Sequence, residues 1–185
     1  MSGIEQLIAS IEASEIEHSA RLEWKPRQQG EIDIRIAADG NWYHEGRKFQ
    51  RESLTKLFAG VLRRENDEYF LITPVEKLRI EVEDAPFVAT LVEQLDDGDR
   101  RAIVFTTNIG ERIVLDREHP IRVEIDADSG EPRPYIMLRN GLEALISRRA
   151  FFDLANMAEE RQRDGRDYLV VTSMGEEFEL GSSDE

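Results

Sequence analysis

Cysteine is absent from this chain of 185 residues, and its absence removes disulfides, thiolate nucleophiles and cysteine metal sites together. Histidine is scarce. His18, His44 and His119 lie far apart, with no HExxH pattern or other close ligand spacing, which favours surface or hydrogen-bonded histidines over metal ligands. The sequence therefore predicts no metal site and no cofactor.

Long apolar runs and excess positive charge are also missing. No segment approaches the ~20 apolar residues that a membrane-spanning helix needs, and Met1 to Ser14 lacks the basic-then-apolar order of a secretory signal. The 24 basic side chains are outnumbered by 39 acidic ones, and the net charge of -15 repels polyphosphate backbones. We therefore expect a cytoplasmic protein whose partners include neither long nucleic acids nor membranes.

The usual catalytic motifs do not occur. There is no GxSxG elbow, Walker loop or GxGxxG pattern. Ser173, within TSMGE, is more typical of a turn than of an activated nucleophile. Glu81, Glu83 and Asp84 are explained by a solvated strand edge that discourages aggregation between sheets. We therefore expect a protein that is not an enzyme.

Short strands and amphipathic helices make up the rest of the pattern. The stretch YFLITPVEKLRIEVEDAP, residues 69–86, alternates apolar and polar residues and predicts a strand pair. Apolar spacing predicts a helix from about Ser53 to Arg64, which Asn66-Asp67 ends. A second helix is expected after a Ser147 cap, ending before Asp164-Gly165.

These helices and the strands after them predict an internal duplication. Residues 48–82 and 145–180 share the order helix then strand pair, and YFLIT in the first segment corresponds to YLVVT in the second. The sequence therefore predicts an α+β fold with two small domains that carry repeated helix-plus-strand motifs.

Arginine placement gives the candidate binding residues. Arg51 and Arg148 lie at helix starts, where the helix dipole disfavours a cation by about 0.3 to 1 kcal/mol unless an anion is near. A phosphate is one such anion, and Arg139 precedes a turn that approaches the same region. Trp42 and Tyr135 are candidates for stacking on a base. The alternatives are that each arginine pairs with a glutamate and that both aromatic residues belong to the core.

The motifs themselves resemble a known family. NWYHEGRKFQRESLTKLFAGVLRRENDEYFLITPVEKLRIEVEDAPFVA, then DREHPIRV, RPYIMLRNGLEALISRRAFFDL and SMGEEFELG, are similar to the uncharacterised bacterial family DUF1285 over about Leu22 to Gly181. The resemblance implies a two-domain α+β protein with repeated motifs and a second domain superficially like a pleckstrin-homology fold. It also implies a nucleotide-like ligand between the domains and a role in signalling or stress response.

The expected organisation follows from both lines of reasoning. We expect an N-terminal helix in residues 1–21, α+β domains in residues 22–84 and 85–181, and a disordered tail in residues 182–185. The expected function is binding or sensing of a small nucleotide-like or phosphate-bearing ligand between the two domains, with Arg51, Arg139, Arg148, Trp42 and Tyr135 as the ligand-binding residues. The alternative is a protein-interaction adaptor that holds a basic partner through exposed strand edges or the acidic surface.

Overall fold

A computed structural model describes residues 4–12, 23–97 and 100–182 of the chain. The chain divides into two compact units, residues 1–86 and residues 87–185. The expected tail falls on Ser182, which ends a strand, and on residues 183–185, which lie outside the described residues. No helix in the described part of the chain is long and apolar enough to cross a membrane.

Unit 1 is built on one six-stranded sheet whose strand order is β3-β2-β1-β6-β5-β4. Neighbouring strands are antiparallel except β1 and β6, which are parallel. The elements of unit 1 are α1 (Ile4–Glu12), β1 (Gln28–Ile36), β2 (Trp42–His44), β3 (Arg47–Lys48), α2 (Glu52–Ala59), β4 (Leu62–Glu65), β5 (Glu68–Ile72) and β6 (Glu76–Val82).

An aromatic cluster joins α2 to this sheet. Phe58 is fully buried on α2, and its ring lies 6.3 Å from that of Trp42 on β2 and 5.7 Å from that of Phe49. Aromatic rings bury large apolar areas, so three of them in contact supply much of the packing between helix and sheet. Ile34, Ile36 and other alternating strand residues complete this core.

Unit 2 contains a six-stranded sheet and a separate three-stranded sheet, with strand orders β10-β11-β12-β7-β8-β9 and β13-β14-β15. In the larger sheet, β12 and β7 are parallel and the other pairs are antiparallel. The elements are β7 (Phe87–Asp97), β8 (Arg100–Thr107), β9 (Arg112–Val114), β10 (Ile121–Ile125), β11 (Pro132–Arg139), β12 (Leu142–Ile146), α3 (Arg148–Ala155), β13 (Glu159–Arg163), β14 (Arg166–Ser173) and β15 (Glu176–Ser182).

A buried serine ties the two sheets of unit 2 together. β14 packs on β8, and α3 packs on β7 and β14. At the end of β14, the hydroxyl of Ser173 accepts a hydrogen bond from the Ile103 amide (2.9 Å) and donates one to the Leu115 carbonyl (2.6 Å). Ser173 is therefore a structural residue that links β14 to the larger sheet.

The predicted fold class is wrong. The described residues form three sheets, two of them six-stranded, and strands far outnumber helices, so the protein is mostly β rather than α+β. The expected repeat fails as well, because the strands after α2 belong to the same sheet as β1, whereas the strands after α3 form a sheet of their own. The pleckstrin-homology-like second domain was part of the same prediction and is not supported.

Candidate functional site

A cavity of about 460 Å³ lies in unit 2, between α3 and the end of the β10-β11-β12 part of the large sheet. Its walls combine apolar and charged side chains, and all of them come from unit 2. They are Asp126, Ser129, Glu131, Pro132, Arg133, Pro134, Leu145, Ile146, Arg148 and Phe151.

The cavity forms where the sheet loses a strand. The register of β11 with β12 begins at Tyr135 opposite Leu145, so Pro132 to Pro134 pair only with β10. Proline has no backbone N–H and therefore suits a strand segment with one unpaired side. After Ile146 the chain leaves the sheet and enters α3, and the place that a longer β12 would fill becomes the cavity.

The turn between β10 and β11 supplies the acidic wall. One carboxylate oxygen of Asp126 accepts hydrogen bonds from the Ser129 amide (2.8 Å), the Ser129 hydroxyl (2.9 Å) and the Asp128 amide (3.1 Å). The Ser129 amide is the main reason that the pKa of Asp126 lies below its ordinary value. Gly130 adopts a φ of 71°, which glycine reaches without strain. These bonds fix the turn beside the cavity.

Helix α3 supplies the opposite wall. The Ser147 hydroxyl caps it by accepting a hydrogen bond from the Ala150 amide at 3.2 Å. Ala150 and Leu154 are buried, while Phe151 is half-buried against the cavity. At the start of the helix, the Arg148 guanidinium lies 2.5 Å from the Glu131 carboxylate. Glu131 is therefore the anion that offsets a cation at this helix start.

The second cavity arginine is oriented by a buried tyrosine. Arg133 Nε donates a hydrogen bond to the Tyr135 hydroxyl at 3.2 Å, and its NH1 lies 3.5 Å from the Asp126 carboxylate. Tyr135 is only 4% exposed, and the Arg122 guanidinium lies 4.4 Å from its ring centroid. The phenol thus holds Arg133 from within the sheet without lining the cavity.

Two family models cover most of the chain. The N-terminal domain of DUF1285, described as a domain of unknown function, matches residues 22–85. The C-terminal domain, described as a protein of unknown function, matches residues 86–180. The chain belongs to the DUF1285 family. The cavity lies entirely in the part matched by the DUF1285 C-terminal domain.

Two solved structures are similar to the chain. A DUF1285 family protein from Silicibacter pomeroyi DSS-3 is 40% identical, with a TM-score of 0.84 over 96% of each chain. A DUF1285 family protein from Shewanella baltica OS155 is 31% identical, with a TM-score of 0.54 over 66% of this chain and 90% of its own. No protein of curated function matches the chain.

Of the five binding residues predicted for this DUF1285 protein, Arg148 lines the cavity. Tyr135 does not line it, but its hydroxyl accepts a hydrogen bond from Arg133, which does. Trp42 and Arg51 belong to unit 1. Trp42 is 2% exposed in the aromatic cluster, and its indole N–H has no hydrogen-bond acceptor within the described residues. Arg51 is exposed at the N-cap of α2. That Arg51, Arg139 and Arg148 face one cleft stays a prediction.

Arg139 has a structural role in unit 2. Its NH1 lies 2.5 Å and 2.7 Å from the two carboxylate oxygens of Glu111, and its guanidinium lies 5.6 Å from the ring centroid of Phe87. The pair is half-buried, and Arg139 does not line the cavity. Pairing with glutamate, the alternative considered from sequence, therefore describes the geometry of both Arg139 and Arg148.

Sequence reasoning missed Arg133, Glu131 and Phe151 as site residues. A signal was present for the first two, since EPRP places a charged pair among prolines directly after the Ser129-Gly130 turn. Prolines at the start of a strand mark an edge or an unpaired segment, which is where a cavity opens.

As to metals, no group of three or more His, Asp or Glu side chains is arranged to hold an ion among the residues described.

Proposed function

We propose that this protein binds a small organic phosphate, about the size of a mononucleotide, in the cavity of unit 2. In this proposal the protein binds the ligand without a chemical reaction. It acts as a cytoplasmic sensor in bacterial signalling or stress response. The signalling role rests on the family resemblance, and the non-catalytic character rests on the missing motifs. The ligand class rests on the cavity itself.

One observation carries the ligand class, namely that Arg133 and Arg148 share a cavity of about 460 Å³ with an apolar wall. Ligand sites of about 300 to 1,000 Å³ are typical, with mostly apolar linings and a few polar groups that fix orientation. A guanidinium presents paired N–H donors that match phosphate oxygens. Phe151, Pro132 and Pro134 offer a surface for a ring or other flat apolar body.

Calorimetric titration of the full chain with phenyl phosphate and with adenosine monophosphate tests the proposal. Replacing Arg148 by Gln removes a charged hydrogen bond and should weaken binding by about 1.5 kcal/mol, the low end of the usual range, because the Arg148 side chain is exposed. The matched control is Arg149→Gln, which removes the same charge from the next residue of α3, where Arg149 pairs with Asp153 outside the cavity wall. Equal effects of the two substitutions, or no binding of either compound, would refute the proposal.

A second candidate, the adaptor, is favoured by two exposed leucines on β7. Leu91 is 57% and Leu95 is 46% exposed, and they are four residues apart on the long β7-β8 hairpin. With a net charge of -15, the expected partner is a basic protein segment. If so, a partner that binds the wild type stoichiometrically should be lost from the Leu91→Ser/Leu95→Ser variant. Retention of that partner by the variant would rule out this surface.

A further inference from the structure

The two acidic side chains of the cavity are held in different ways. The Asp126 carboxylate is engaged by three donors of its own turn, so it cannot leave without breaking that turn. Glu131 contributes to the turn through its backbone: its amide donates to the Ser129 hydroxyl at 3.3 Å, and its carbonyl accepts from the Asp126 amide at 2.9 Å. Its carboxylate is not needed for the turn.

The Glu131 carboxylate instead forms an ion pair with the Arg148 guanidinium. The side chain of Arg148 is 84% exposed and that of Glu131 is 56% exposed. Among the described residues, Arg148 is the ion-pair partner of Glu131. An exposed pair of this kind is typically worth about 0.2 to 1 kcal/mol, because water screens it and both side chains lose freedom. The pair is therefore weak enough for an incoming anion to replace one member.

We propose that the Glu131 carboxylate pairs with Arg148 when no ligand is bound, and that the ligand's phosphate replaces this carboxylate on binding. This inference rests on the proposed function of the cavity. It also narrows the ligand to a phosphate monoester, which carries about -1.5 to -2 charges at neutral pH and three acceptor oxygens. A carboxylate ligand has only the single charge that Glu131 already supplies, so it gains little from the exchange.

Binding of matched aromatic anions to the full chain tests the exchange. By calorimetry, the wild type should bind phenyl phosphate more tightly than benzoate, which has the same ring and a single charge. In Glu131→Gln the competitor is gone, and phenyl phosphate should bind about 1.4- to 5-fold more tightly, the equivalent of an exposed ion pair. The control is Glu118→Gln, which removes one charge from an exposed site in unit 2 that does not line the cavity.

A double-mutant cycle isolates the contact with Arg148. In the Arg148→Gln background, Glu131→Gln should change affinity no more than Glu118→Gln does, because the guanidinium that both anions share is gone. If the wild type binds phenyl phosphate but Glu131→Gln binds it no better than Glu118→Gln, the exchange is refuted and the cavity remains a ligand site. If neither the wild type nor Glu131→Gln binds phenyl phosphate, the proposed function and the exchange both fail.

Discussion

Both units contain a helix followed by three antiparallel strands, yet these strands end in different surroundings. After α2, strands β4, β5 and β6 extend a sheet that already contains β1, with β6 parallel to β1. After α3, strands β13, β14 and β15 form their own sheet, which packs on β8. A similar local sequence thus gives strand pairing in one unit and face-to-face packing in the other.

The strands that come before the two helices are paired differently. In unit 1, β1 pairs with β2 on one side and with β6 on the other, and the connection through α2 is long enough to make the β1-β6 pair parallel. In unit 2, the strand before α3 is β12, and both its sides are taken, by β11 and by β7. The last three strands pack on the large sheet instead of extending it, although within the described residues its edge strands β9 and β10 each keep one side without a strand partner. Strand pairing across the whole unit, rather than the local pattern, decides the fold.

The largest effect should come from the core under α2. Phe58→Ala leaves a cavity beside Trp42 and Phe49, and such changes destabilise proteins by about 3 to 5 kcal/mol. Trp24 and Trp42 are the two tryptophans of the chain and belong to unit 1, so fluorescence during urea unfolding reports on that unit.

The matched control lies on the other helix. Phe152 on α3 is 66% exposed, so Phe152→Ala should change stability by no more than about 0.5 kcal/mol. Because this residue belongs to unit 2, hydrogen exchange of the α3 amides is the suitable measurement. Comparable losses from both substitutions would show that the exposed face of α3 is covered in solution, and the contrast between the two helices would fail.

An intermediate effect should come from the bond between the two sheets of unit 2. Ser173→Ala leaves the Ile103 amide and the Leu115 carbonyl without their buried partner, which costs about 1 to 3 kcal/mol for an unsatisfied group. Exchange should accelerate at Ile103, 70 residues away in the chain, and not only in β14. The exposed Ser53 on α2 provides the control, Ser53→Ala. If exchange at Ile103 stays as slow as in the wild type, the hydroxyl does not hold the sheets together.

Most strands were predictable because their alternation is strong, and the strands missed were β4 and β13. Val61 and Leu62 fit the apolar spacing of the preceding helix, so the sequence predicted a helix as far as Arg64. The helix α2 ends at Ala59. The decisive signal was in the turns. Asn66-Asp67 and Asp164-Gly165 have φ values of 50° to 76°, as in two-residue hairpin loops, and were misread as helix ends.

The site was predictable only in part. Arg148 was predicted because a cation at a helix start needs an anion, and Glu131 is the anion beside it; ligand binding by Arg148 stays a prediction. The position of Arg133 in the cavity wall and the shape of the cavity depend on where β12 ends relative to β11. That is set by strand register, which no local sequence pattern encodes. Trp42 and Tyr135 share an aromatic character with stacking residues, but their burial depends on tertiary packing.

The smallest of the three destabilising effects should come from Thr73 of unit 1. The correspondence of YFLIT with YLVVT aligns Thr73 with Thr172, the neighbour of Ser173. Thr73 is as buried as Ser173, but its hydroxyl oxygen accepts from the Val75 amide (3.3 Å) and the Glu76 amide (3.2 Å) within its own turn. The backbone bond from the Thr73 amide to the Glu76 carbonyl, 2.9 Å long, also closes that turn and survives substitution.

Thr73→Val keeps the shape of the side chain and removes only the hydroxyl, so it should destabilise unit 1 by about 0.5 to 1.5 kcal/mol. Faster exchange should be confined to the amides of Val75 and Glu76, because the hydrogen bonds of this hydroxyl to the described residues stay within its own turn, whereas that of Ser173 reaches β8. Exchange that accelerates throughout β5 and β6 would mean that the turn controls the register of the whole strand pair. The local hydroxyl of unit 1 would then matter as much as the long-range hydroxyl of unit 2.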